Sequence, residues 1–203
     1  MDDVNLSEFK KDQLIEVINI GAGNASISLS QLVNKQVSIH VPKLYVDKIE
    51  SVLKYIGTSD ELMTVVLIKL LGDVTGTMVM MFQPKDAIKL ASLMNKKPYN
   101  EKQKLNYMDR SALKEMGNIL SGTALNALAK LTKMYSVNSL PDSATDMVGS
   151  MIDNILADIG QDSEVIMSFK VMFQVKSEDI SGQLFFLFDP KTTNKIIQSL
   201  NNK

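Results

Sequence analysis

The chain has 203 residues, 22 Lys+Arg against 23 Asp+Glu, and no Cys. That length suits one core or two fused small units, and the missing thiols exclude a disulfide framework, thiolate metal sites and a cysteine nucleophile. A net charge of −1 provides no basic field for nucleic acid or anionic lipid, while the acidic start and short apolar runs such as Met78 to Phe82 predict a cytoplasmic, globular protein without signal peptide or membrane insertion.

In chain order, Ser7 precedes a helical pattern carried by Leu14, Ile15, Ile18, Ala22, Ala25, Leu29 and Leu32. Strand-like stretches follow at Gln36 to Val41, Met63 to Leu71 and Thr75 to Phe82, then a helix with Pro84 in its first turn, where a missing N–H does no harm. Lys96-Lys97-Pro98 is expected to be a solvated linker turn. A second long helix, with Asp109 or Ser111 near its start, carries Leu113, Met116, Ile119, Leu120, Leu128 and Leu131. Met147, Val148, Met151, Ile152, Ile155 and Leu156 make Asp142 to Ile159 an expected amphipathic helix, added without a counterpart in the first half. Strands over Glu164 to Lys176 and Gly182 to Phe188 and a helix at Pro190 close the chain.

Laying residues 12–42 on residues 111–141 gives nine identities in 31 pairs, among them Glu16/Glu115, Asn19/Asn118, Ile20/Ile119, Gly23/Gly122 and Pro42/Pro141. A second match pairs Gly76 to Asn95 with Gly182 to Asn201. These matches predict a single domain over 1–203 built from two repeats, about 1–100 and 101–203. Helix, strands, helix is not the regular alternation of a doubly wound parallel sheet. The expected fold is α+β: an internally duplicated, pseudo-twofold, largely antiparallel sheet with two long motif-bearing helices packed on it.

At 100° per residue, Asp12, Glu16, Asn19 and Gly23 fall within about 60° of arc on one helix face, and Ser111, Glu115, Asn118 and Gly122 do the same. The apolar positions lie elsewhere, so each line is expected to face solvent. A glycine inside a helix costs about 1 kcal/mol relative to alanine, and a bare spot beyond each Asn admits another backbone. Exposed positions of repeats drift fastest, yet Glu and Asn recur while Gln31/Lys130 and Asn34/Lys133 differ. Asn does not titrate, so it is neither general base nor nucleophile; its amide offers a donor and an acceptor together, which suits holding a water. Phosphoryl transfer is catalysed mainly by positioning and charge neutralisation. Neither half supplies a metal cage, so metal and phosphoryl group are expected to arrive with a partner.

The pattern [Asp/Ser]-x3-Glu-x2-Asn, present as Asp12-x3-Glu16-x2-Asn19 and Ser111-x3-Glu115-x2-Asn118, resembles the signature of the CheC/CheX/FliY family of chemotaxis phosphatases. Two motifs and the absence of an added flagellar-switch domain resemble the CheC type within it. The resemblance implies hydrolysis of the aspartyl phosphate on the response regulator CheY. Asn19 and Asn118 would each enter the receiver's site and orient the attacking water, Glu16 and Glu115 would contact its active-site lysine, and Asp12 and Ser111 would support the contact. Gly23 and Gly122 are counted with these supporting residues. The chain itself would bind no metal or cofactor; Mg²⁺ would be the receiver's. The resemblance also implies a second partner, the receptor-modifying deamidase CheD, docking on the added helix at Asp146 and Met147 and stimulating the phosphatase.

The single His40 has no Cys to complete a metal site and no place in a Ser-His-Asp triad, and Gly21-Ala-Gly23-Asn24 sits inside a helical pattern without the Gly-Lys-Ser/Thr of a P-loop. The rival to an enzyme is a non-enzymatic binding module that sequesters phosphorylated CheY and regulates CheD. The expected behaviour of the enzyme is two independent sites, with Asn19→Ala and Asn118→Ala each leaving substantial activity and unchanged stability.

Overall fold

The computed structural model describes residues 6–159 and 165–201; the acidic start and Glu164 lie outside them. The chain opens with α1 (Glu8–Val33), β1 (Ser38–Lys48), α2 (Ile49–Leu53), β2 (Leu62–Gly72), β3 (Gly76–Phe82) and α3 (Pro84–Met94). The same order of elements runs again through α4 (Tyr107–Thr132), β4 (Ser136–Asn138) with β5 (Asp142–Met147), α5 (Val148–Ile159), β6 (Val165–Val175), β7 (Ile180–Phe188) and α6 (Pro190–Asn201). The strands make one sheet in the order β1-β6-β7-β3-β2-β4, with β5 also on β2. Every pairing is antiparallel, so the fold is the expected α+β layering.

β3 and β7 meet at the centre of the sheet, Gly76 opposite Phe188 and Met81 opposite Gln183. Both are covered on two faces, which is why their sequences read as near-continuous apolar runs. Met78, Met80 and Phe82 of β3 and Leu184, Phe186 and Phe188 of β7 belong to the large cluster under α1 and α4. Val79, Met81, Phe185 and Leu187 point the other way, into a smaller cluster closed by α2 and α5. The edge strand β5, Asp-Ser-Ala-Thr-Asp-Met, is short, polar and exposed, a composition that discourages edge pairing with another chain.

Two expectations are corrected here. Residues 142–147 are strand rather than helix; the helix begins only at Val148. It stands 99 residues after the start of α2, at the same place in the order of elements, so α5 is not an addition without a counterpart. Its stripe is also already used, since Val148, Met151 and Ile155 are buried in the smaller cluster. The second correction concerns Lys97, which is not a solvated linker residue. Its Nζ lies 2.5 Å from Oδ1 of Asp109, a carboxylate with no exposure.

Asp109 gathers the start of α4. Its Oδ1 also accepts from Asn95 Nδ2 at 2.9 Å, and its Oδ2 accepts from Gln103 Nε2 at 3.0 Å and from the Asn106 backbone N–H at 3.2 Å. Asn106 Oδ1 in turn accepts from the Asp109 N–H at 3.0 Å, which completes a capping box. Burial pushes the Asp109 carboxyl up. The Lys97 ammonium, the Asn106 N–H and the Asn95 amide outweigh it and hold the group below the usual carboxylate range. α1 has no such anchor, for its N-cap Ser7 makes no side-chain cap bond.

α1 and α4 touch at Gly21. A Cβ there would lie 2.9 Å from the Thr123 carbonyl oxygen and 3.2 Å from Ala124 Cα, whereas a Cβ on Gly23 meets nothing within 4 Å. Gly21→Ala is therefore expected to destabilise by about 1–3 kcal/mol, because backbone has to move. Gly23→Ala is expected to stabilise by up to about 1 kcal/mol through helix propensity. Urea unfolding of the two variants checks this pair, and equal signs would contradict the helix contact.

Candidate functional site

Asp12, Glu16, Ser111 and Glu115 are exposed, and Asn19 and Asn118 are half-buried. Gly23 is exposed and Gly122 half-buried, each with open space where a Cβ would stand. The structure thus brings each set of four into a line on its own helix, without joining the two sets. At 100° per residue the first line is centred about 170° from Gly21, the point of contact with α4. The second is centred about 155° from the middle of Thr123, Ala124 and Ala127, against which Gly21 packs. The lines consequently face away from the helix contact in opposite directions.

An exposed apolar row runs beside the first line, a feature absent from the sequence reading. Phe9, Ile20 and Ile27 stand 70%, 56% and 62% exposed, about 50–70° round the helix from the polar residues. On α4 the positions 99 residues on are Met108, exposed, Ile119, half-buried, and Asn126. Their signal was present in the helical spacing: Phe9, Ile20 and Ile27 fall outside the buried stripe of Leu14, Ile18, Ala25 and Leu29. Apolar side chains kept in water beside a polar row are common where another protein surface is met.

The two amides differ in their surroundings. Asn19 Oδ1 accepts from the Val41 backbone N–H at 2.9 Å. β1 pairs regularly with β6 except between His40 and Lys43, where its register shifts. A bulge with Pro42 in it interrupts the ladder, and the Val41 N–H turns to α1 instead. Ser26 and Ser30 continue the same seam: Ser26 Oγ donates to the Val37 carbonyl at 2.5 Å and Ser30 Oγ accepts from the Val37 N–H at 2.9 Å. On α4 Leu125 and Ala129 stand at the corresponding positions and cannot do this. There the strand breaks outright, β4 ending at Asn138 and β5 starting at Asp142 around Pro141. Among the described residues the Asn118 side chain has no hydrogen-bond partner.

Chemically, each helix presents a carboxylate one turn before an amide, with open space beyond. A carboxylate meets a cation, and an amide offers a donor and an acceptor to water or a phosphoryl oxygen. Among the described residues no three or more His, Cys, Asp or Glu gather as a metal site, and His40 stands exposed on β1. Asp146 and Met147 close β5, opposite Met63 and Leu62, rather than lying on a helix. Both are exposed, and Asp146 Oδ1 accepts from the Met147 N–H at 2.7 Å. No described helix is long and apolar enough to cross a membrane.

The CheC-like family model matches residues 108–134, which hold the second motif. The chain is 29% identical over 201 residues to the CheY-P phosphatase CheC of Bacillus subtilis, covering 96% of this chain and 95% of that one. In fold it is similar to Thermotoga maritima FliY, with a TM-score of 0.76 at 18% identity over 98% of both chains. It is also similar to a chain of the CheX-CheY-BeF3-Mg²⁺ complex from Borrelia burgdorferi, with a TM-score of 0.57 at 18% identity over 86% of this chain and 99% of that one. In its second motif helix the chain is similar to the CheC-like family, along almost its whole length to CheC of Bacillus subtilis, and in its sheet and helices to FliY.

Proposed function

We propose that the chain is a phosphatase that hydrolyses the aspartyl phosphate of a CheY-type receiver domain. What carries the reading is the repeated pairing of an exposed Glu with an Asn one turn on, each facing away from the neighbouring helix. The near full-length likeness to a CheY-P phosphatase supports it. Glu16 and Glu115 dock on the receiver's active-site lysine, and Asn19 and Asn118 hold the attacking water. The water oxygen bonds to phosphorus as the bond to the aspartyl oxygen breaks; the water's proton leaves with the phosphate or to solvent. The receiver carries Mg²⁺, which neutralises charge on the transferring group. The chain contributes position, through an amide and a carboxylate fixed on one helix.

The same reading makes the chain a single domain duplicated from one ancestral unit, supported by the motif spacing and the repeated order of elements, and places it in the cytoplasm. CheD stimulation through the exposed end of β5 at Asp146 and Met147 belongs to this proposal too. Turnover tests it. Chain added at one-twentieth of the receiver is expected to clear phosphorylated CheY faster than the receiver's own decay. Clearance that stops at one equivalent, or phosphate protected rather than lost, would leave the chain a sequestering module.

A further inference from the structure

The two motif amides carry the same letter and different hydrogen bonds. Asn19 Oδ1 is held by the Val41 N–H at 2.9 Å, and it is the first member of a seam that Ser26 and Ser30 continue along the start of β1. Asn118 has no partner among the described residues, its strand breaks at Pro141, and Leu140, in the place of Val41, is 93% exposed. We infer that Asn19 is a brace for the β1 bulge as well as a motif residue, and that the Val41 N–H withholds it from catalysis, so the second site carries most of the turnover. The inference rests on the phosphatase reading and goes beyond it, because the Glu and Asn letters are the same in both motifs and do not say which site is the stronger.

The hydrogen bond supplies the difference through orientation. To hold a water on a receiver, an amide has to turn its oxygen and N–H groups outward together. At the first site the Val41 bond holds the Asn19 side chain toward β1, and turning it outward strips a half-buried backbone N–H of its partner. An unmade hydrogen bond of this kind costs about 1–2 kcal/mol, a factor of about 5 to 30 in the population of the released amide. Asn118 bears no such cost. The β1 bulge therefore acts as a positioning element for the first site, and the hydrogen bond to Val41 sets that site's activity below the second.

The test has a stability arm and a turnover arm. In urea unfolding, Asn19→Ala is expected to lower the folding equilibrium constant by about 5- to 30-fold. Asn19→Asp, whose carboxylate still accepts from the Val41 N–H, is expected to restore it, and Asn118→Ala to change it by less than about 3-fold. Equal effects of Asn19→Ala and Asn118→Ala on stability would overturn the brace.

In turnover of phosphorylated CheY, Asn118→Ala is expected to cost about 5- to 30-fold, with the smaller fall for Asn19→Ala. An amide-to-ester replacement at Val41 deletes the N–H and keeps the side chain. Placed in the Asn118→Ala background, it is expected to raise the residual rate by about 5- to 30-fold, an effect a purely structural role for Asn19 would not produce. Asn118→Ala retaining most of the activity, or an ester that leaves the rate where it was, would overturn the withholding. A wild-type chain with no turnover at all would sink the phosphatase reading instead, and the stability arm alone would then decide the brace.

Discussion

Replacing Asn19 and Asn118 together with Ala is expected to lower turnover of phosphorylated CheY by about 10- to 1000-fold, the range seen when a positioned polar group is removed from a transition state. The effect should fall on kcat rather than on binding, because on the proposed reading Glu16 and Glu115 remain to dock on the receiver. The two lines of residues face away from the α1–α4 contact in opposite directions, so on the proposed reading each is expected to meet a separate receiver, with rates that add. Asn118→Ala must then retain more activity than the double variant. If it is as inactive as the double, the two helices serve one receiver or the first site is idle. Single-turnover phosphate release with the two single variants and the double separates these outcomes.

Asp109→Ala is expected to be the most damaging single change to stability away from the apolar core, at about 2–4 kcal/mol. The carboxylate has no exposure and is held by Lys97, Asn95, Gln103 and the Asn106 N–H. Truncation strands these partners and opens the capping box that starts α4. The loss stays below that of a fully enclosed ion pair because the Lys97 side chain, at 27% exposure, can regain water. Because the folded pKa is lowered, the contribution is fully present above the unfolded carboxylate value of about 3.9 and disappears as pH falls through the folded value. Wild type should lose stability relative to Asp109→Ala on acidification in that window, and urea midpoints from pH 7 down to pH 2.5 check it. A loss under about 1 kcal/mol at pH 7 would show that α4 does not depend on this cluster.

The corrections share a cause. The polar letters of Asp142 to Met147 hold no apolar face, since β5 is an exposed edge strand; the periodic apolar residues beyond it then extended a helix backwards over a strand. Lys96-Lys97-Pro98 reads as a solvated turn because charge next to proline usually is one, and only the arrival of Asn95 and the start of α4 on either side makes Asp109 a buried carboxylate in need of a cation. The helix start was expected near Asp109 or Ser111, whereas Asn106 is the N-cap and Asp109 closes its capping box from the third helical position. Gly21 and Gly23 look alike in a helical pattern, and which one admits a neighbouring backbone depends on where α4 crosses.

By itself the sequence determined the two long helices, the central strands and the line of Glu and Asn on each helix face. Those depend on periodicity and on local capping, which act within a few residues of one another. Tertiary structure decided which charge is buried, which glycine is a contact and which motif amide is held by a backbone N–H. Asn19 and Asn118 share the Glu-x2-Asn spacing, and what separates their hydrogen bonding lies 22 residues on from Asn19, in the Val41 N–H that a proline-containing bulge turns out of the β1–β6 ladder. A hydrogen bond of that kind is set by where one element comes to rest against another, and helical periodicity carries no record of it.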